Sequence, residues 1–194
     1  MDIKSDVPLL QVKSLKTYYR AGNDWVRAVD DVSFRVNRSQ TLGLVGESGC
    51  GKTTLAFSLL RLLPPNGRIM EGQILFDGQD LMQLSDDEVR SFRWSGISMV
   101  FQSAMNSLNP VFRVGDTLSE ALRTHENLSK EEVRSRSEDL FRMVGLSPDV
   151  LRRYPHELSG GMKQRVVIAM SLICNPQLVI ADEPTTALDV VVQD

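Results

Sequence analysis

The chain has 194 residues, 42% of them hydrophobic and 24% charged, with a formal net charge of −3. That length supports one large domain or two small ones with a real core, and the slight acidic balance excludes a nucleic-acid binder held by bulk electrostatics. No apolar run approaches bilayer length, the stretch "MDIKSDVPLL" carries no signal-peptide core, and Cys50 and Cys174 lie far apart and read as free thiols.

The first stretch reads as β. "LLQVKSL" (9–15) and "AVDDVSFRV" (28–36) are short, and in the second Val32, Phe34 and Val36 alternate with polar neighbours. The run "TLGLVG" (41–46) predicts a buried strand entering a turn. A helix is expected from Gly51 to about Leu63, with Leu55, Leu59, Leu62 and Leu63 on one face and Pro64–Pro65 as its stop. "GQILFDG" (72–78) predicts a strand between glycine turns. From 84 to 175 the pattern is helical, with capping boxes at Ser85/Glu88 and Ser129/Glu132. Val133, Leu140, Phe141 and Val144 keep helical spacing up to Gly145, and Ser147–Pro148 opens a short helix that Pro155 limits. A last helix follows "LSGG", carrying Val166, Val167, Ala169, Met170 and Ile173 and ending at Asn175–Pro176. "QLVIADEP" (177–184) then predicts a buried strand with two acids at its carboxyl end. The coarse picture is strands alternating with helices, about 1–84 and 176–194, interrupted by a helical insert at about 85–175.

Three places carry chemistry. Gly46, four residues, then Gly51–Lys52–Thr53 fits the P-loop pattern between a strand and a helix. Across Gly46, Glu47, Ser48, Gly49, Cys50, Gly51, Lys52, Thr53 and Thr54 the backbone N–H groups can wrap phosphates. Lys52 supplies a charge for the β- and γ-phosphates and Thr53 a hydroxyl for Mg²⁺. Asp182, after four apolar residues, is placed to hold Mg²⁺ through a water shell, and Glu183 to orient or deprotonate an attacking water. The third place is "ELSGGMKQR" (157–165), where Ser159, Gly160 and Gly161 lead into a helix N-terminus, a second anion-binding turn far from the first. Gln102, ending "SMVFQ", can touch Mg²⁺ or the attacking water, and Tyr18 and Tyr19 offer a face to an adenine ring. His125 and His156 have no metal-ligand spacing.

In their order along the chain these motifs resemble an ABC transporter nucleotide-binding domain. Walker A lies at 46–53, the glutamine loop at Gln102, the signature at 158–165, Walker B at 178–183 and "ALD" at 187–189. "SLNP" (107–110), "RYPHELSGGMKQRVVIAM" and "ADEPTTALDV" are similar to the ATPase subunits of dipeptide, oligopeptide and nickel importers. The resemblance implies an α/β fold: a P-loop ATPase core with an antiparallel β subdomain and a helical insert subdomain. It implies Tyr19 as the adenine-stacking aromatic, Gln102 as the sensor of Mg²⁺ and of the membrane subunits, and Glu183 as catalytic base. It also implies Ser159, Gly160 and Gly161 as the signature turn and Asp189 as the loop between the two sites. ATP and Mg²⁺ are the implied ligands. The implied partners are a second ATPase subunit paired head to tail, two permease subunits and, indirectly, an external binding protein, at the cytoplasmic face of the membrane. Peptides are the expected cargo, with nickel and short sugars as alternatives.

One departure is Gln102–Ser103–Ala104–Met105, where the peptide importers usually continue Q-D-P-M; losing the proline frees that loop. The family's switch histidine lies beyond the "ALD" loop, so the sequence is expected to be part of a longer protein and to hydrolyse ATP very slowly alone. Other readings are a soluble ABC ATPase of non-transport role, a fragment that only binds nucleotide, and a P-loop GTPase. The last needs an "N/T-K-x-D" motif, which the sequence lacks; the first is disfavoured by a single P-loop and no sustained heptads.

Overall fold

A computed structural model describes residues 7–101 and 108–184. The chain divides into two compact units, Met1–Arg90 and Ser91–Asp194.

In the first unit β1 (Leu10–Ala21) and β2 (Asp24–Val36) form a hairpin across Gly22–Asn23, with Ala21 opposite Asp24. Both strands run further than the apolar pattern predicts. A two-residue Gly-Asn turn between them lets polar residues join the ladder. β3 (Gly67–Phe76) pairs with the other edge of β1, and β4 (Gln79–Asp80) returns through Asp77–Gly78, so the sheet order is β2-β1-β3-β4. Its buried residues include Leu10, Val12, Leu15, Thr17, Val29, Val36, Ile74 and Phe76.

Helix α1 (Lys52–Leu59) packs on β1 and β2. Ser58 gives its proton to the Thr54 carbonyl at 2.7 Å, so Thr17 of β1 donates to Ser58 Oγ across 2.9 Å. The helix ends before its prolines. Arg61 takes φ 50°, its N–H bonds the Ser58 carbonyl, and the Leu62 N–H bonds that of Phe57. This is a Schellman stop with arginine where glycine is usual. Its guanidinium donates to the carbonyls of Leu81 and Leu84 and pairs with Asp86 at 2.9 Å, which offsets the left-handed backbone.

The strand expected at 41–46 is not formed. Among the described residues no ladder includes it, Leu42 and Leu44 are exposed, and Val45 is 99% exposed. An apolar run becomes a strand only where a neighbour accepts its hydrogen bonds, and among the described residues the four-stranded sheet of this unit does not take it in. Helix α2 (Asp86–Phe92) follows, with the Ser85/Glu88 capping box in place.

In the second unit β5 (Ile97–Val100) and β6 (Leu178–Ala181) run parallel. Helices α3 (Val114–His125), α4 (Lys130–Met143) and α5 (Gly160–Leu172) enclose a core that includes Val114, Leu118, Leu122, Phe141, Val166 and Ile173. Ser129 accepts from the Glu132 N–H and Glu132 accepts from the Ser129 N–H, so the expected box starts α4. The segments after Ser147 and at Pro155 are short 3-10 turns rather than α-helix. No helix among the described residues is long and apolar enough to cross a membrane.

Candidate functional site

The glycine loop is built by backbone constraint. Gly49 and Gly51 have φ of 81° and 98°, and a Cβ on Gly51 would run into the Ala28 carbonyl of β2. Only glycine fits there, so the loop lies directly against the sheet. Gly51 also forms the N-cap of α1 in the left-handed conformation, with no side chain capping the helix and no acid in its first turn. The positive end of the helix therefore meets no competing carboxylate of its own.

Lys52 folds back over this loop. Its ammonium donates to the carbonyls of Gly46 and Glu47, both at 2.8 Å, and to Cys50 Sγ at 3.7 Å. The charge is thereby fixed over the turn formed by Glu47, Ser48, Gly49 and Cys50. Tyr19 reaches the same place from β1. Its hydroxyl donates to Thr54 Oγ1 at 3.3 Å, and its ring lies against Gly67. Tyr18 points elsewhere, to Asp30 at 2.7 Å. That bond is the main cause of a raised Tyr18 pKa and a lowered Asp30 pKa. The structure thus brings Tyr19, and not Tyr18, to the loop.

In the second unit, Ser159 is the N-cap of α5, and its hydroxyl accepts from the Met162 N–H at 3.3 Å. Gly160 and Gly161 fill the first turn. Around Gly161 a Cβ would meet nothing within 4 Å, and its φ is not positive. Neither packing nor backbone conformation within the described residues asks for glycine there.

The two acids end a parallel strand pair. The Asp182 N–H donates to the Val100 carbonyl at 3.0 Å, extending the β5–β6 ladder by one residue, and Asp182 is only 9% exposed. Glu183 is exposed and takes φ 49°. Carboxyl ends of parallel strands are where ligands sit in such sheets. His156 is exposed and its ring stacks on that of Tyr154 at 5.6 Å, and the His125 ring lies 6.4 Å from that of Trp94. Gln102 and Asp189 lie outside the described residues.

One residue had no role on sequence grounds. Gln164, inside the quoted "LSGGMKQR", is 2% exposed, and its amide Nε2 donates to the Pro184 carbonyl at 2.6 Å. The signal was available: Gln164, Val167 and Ser171 share the buried face at helical spacing.

The sequence pattern of the ABC transporter family matches residues 29–186. The chain belongs to that family. It is 45% identical over 188 residues to the oligopeptide transport ATP-binding protein AppD of Bacillus subtilis, covering 95% of this chain and 57% of the relative. The dipeptide transport ATP-binding protein DppD of the same organism is 47% identical, covering 95% and 56%. The oligopeptide transport ATP-binding protein OppD of Escherichia coli is 48% identical, covering 95% and 55%. The chain spans a little over half the length of these curated relatives. Among solved structures it matches the dimeric bacterial ABC transporter cassette MJ0796 with a TM-score of 0.85 at 30% identity, over 95% of this chain and 78% of that one. The same cassette in a post-hydrolysis state bound to ADP and Pi gives a TM-score of 0.84. The fold is therefore the ABC ATPase cassette, with its antiparallel sheet and helical part.

Proposed function

We propose that this chain is the ATP-binding and ATP-hydrolysing part of an importer of di- or oligopeptides, acting as a head-to-tail pair on two permease subunits at the cytoplasmic face of the membrane. The observation that carries the nucleotide part is the Lys52 ammonium, fixed by two carbonyls over a glycine loop at an uncapped helix N-terminus. A polyanion gains there from the charge, from helix N–H groups and from the helix dipole together. The peptide cargo is supported by the names of the relatives, and the pairing by the dimeric cassette.

In this reading Lys52 exchanges its carbonyl partners for phosphate oxygens, and Tyr19 holds the adenine. Thr53 and Gln102 would hold Mg²⁺ directly and Asp182 through a water, and the ion, a hard cation that takes one or two protein oxygens beside the phosphates, would neutralise phosphate charge. Glu183 takes the proton of the water that attacks the γ-phosphate as the bond to the leaving diphosphate breaks. Asp189 communicates between the paired sites. The glycine at 161 gains its reason from outside the chain: the partner subunit's nucleotide must come close to the turn.

The test is a Mg²⁺-ATP titration. Lys52→Ala should lose binding while keeping its circular dichroism spectrum. Equal affinity in both proteins would remove the nucleotide site.

A further inference from the structure

The Gln164 side chain ties the strand end that carries Glu183 to the signature helix. We propose that Gln164 is the positioning residue for the Glu183 carboxylate and couples the signature turn to it, an inference that rests on Glu183 as the base.

Glu183 stands in a conformation it does not favour. It is a non-glycine residue at φ 49° and it precedes Pro184, which biases the residue before it toward extended backbone. Such a conformation persists only where the surroundings over-determine it. Two bonds do so. Before Glu183, the Asp182 N–H is held by the Val100 carbonyl of β5. After it, the Pro184 carbonyl is held by Gln164. A buried amide is costly unless bonded, and this one spends a donor on the turn rather than on its own helix.

Gln164 is itself closely packed. Val166 and Val167 are buried beside it on α5, and Arg165 donates to the Gly145 carbonyl at the end of α4. Gln164 lies five residues after Ser159, on the same rigid helix whose first turn is the signature. A displacement of that turn by a nucleotide is carried along α5 to Pro184, and so to Glu183. The arrangement makes the base respond to whether the signature turn is engaged.

The experiment compares steady-state ATP hydrolysis in the intact subunit. Gln164→Met keeps the length of the side chain and removes the donor. It should lower kcat about tenfold to a hundredfold, the scale of a misplaced reacting group, with the KM for ATP and nucleotide affinity unchanged. In a Glu183→Gln background, Gln164→Met should add nothing, because residues acting as a unit are not additive. Gln164→Asn, one methylene too short, should behave alike and carries the test if the Met variant does not fold. An unchanged kcat in these variants, with Glu183→Gln still inactive, overturns the proposal and leaves the base in place. A full additional loss in the Glu183→Gln background overturns it as well, since the effect is then general. Undiminished turnover in Glu183→Gln itself removes the base, and the proposal with it.

Discussion

At 46–52 the chain enters α1 through a left-handed, uncapped Gly51, and at 158–161 it enters α5 through Ser159, whose hydroxyl caps the helix. The first turn is dictated from within. Gly51 has a backbone that glycine favours, presses on the Ala28 carbonyl, and leaves Lys52 as the only side chain bonded to the Gly46 and Glu47 carbonyls among the described residues. The second turn does not itself require the glycine at 161. Its cap is satisfied, its φ values are ordinary and space surrounds Gly161. A glycine that its own fold demands and a glycine that its own fold merely tolerates are different information. The latter points to something that approaches from elsewhere.

Replacing each glycine by alanine separates the two cases most strongly. Gly51→Ala should cost at least about 1–3 kcal/mol from the left-handed backbone alone, with the Ala28 clash added, and should abolish nucleotide binding. Gly161→Ala should leave stability unchanged or raise it by up to about 1 kcal/mol, since alanine is the better helix former, and should leave ATP binding to the single chain intact. Denaturant melts and an ATP titration on both proteins check this. Equal destabilisation by the two would erase the contrast.

Ser159→Ala sharpens it further. Removing the cap should cost about 1 kcal/mol in the second unit, measured by urea unfolding, with nucleotide affinity at the first turn unmoved. The smallest expected effect is a pH control on a helix outside both turns. The Glu132 carboxyl is held below its usual range by the Ser129 N–H and then its hydroxyl, and Glu88 likewise by the Ser85 hydroxyl and then its N–H. A lowered folded pKa means stability that is present above the ordinary carboxylate value, about 4.3, and is lost as pH falls through the folded value. Both groups are fully solvated, so the slope is small. Glu132→Gln should flatten it slightly in acid melts between neutral and strongly acidic pH without touching nucleotide binding.

The same contrast explains what could be read in advance. Helix α4 was legible because its signals are local: a serine, a glutamate three residues on, a glycine at the end. The hairpin β1–β2 extends past its apolar pattern because the Gly22–Asn23 turn sets the register for polar residues too. The run at 41–46 misled because strand formation needs a partner, which hydrophobicity cannot report. Gln164 escaped because its role is a bond over twenty residues to a backbone carbonyl. Spacing shows such a residue as buried and says nothing of what it holds.

The most direct test of the pairing mixes two broken subunits. In an intact subunit carrying Glu183→Gln, which should slow hydrolysis and accumulate the ATP-bound pair, Gly161→Asp alone should not dimerise and Lys52→Ala alone should not either. Together, one composite site carries both lesions and the other carries none. Light scattering of the mixture should then show partial return of the ATP-dependent dimer. No recovery in the mixture, even with permease subunits present, would mean that both sites must close together, whereas loss of ATP binding in isolated, folded Gly161→Asp would mean that the turn grips nucleotide within its own chain and would contradict the head-to-tail account.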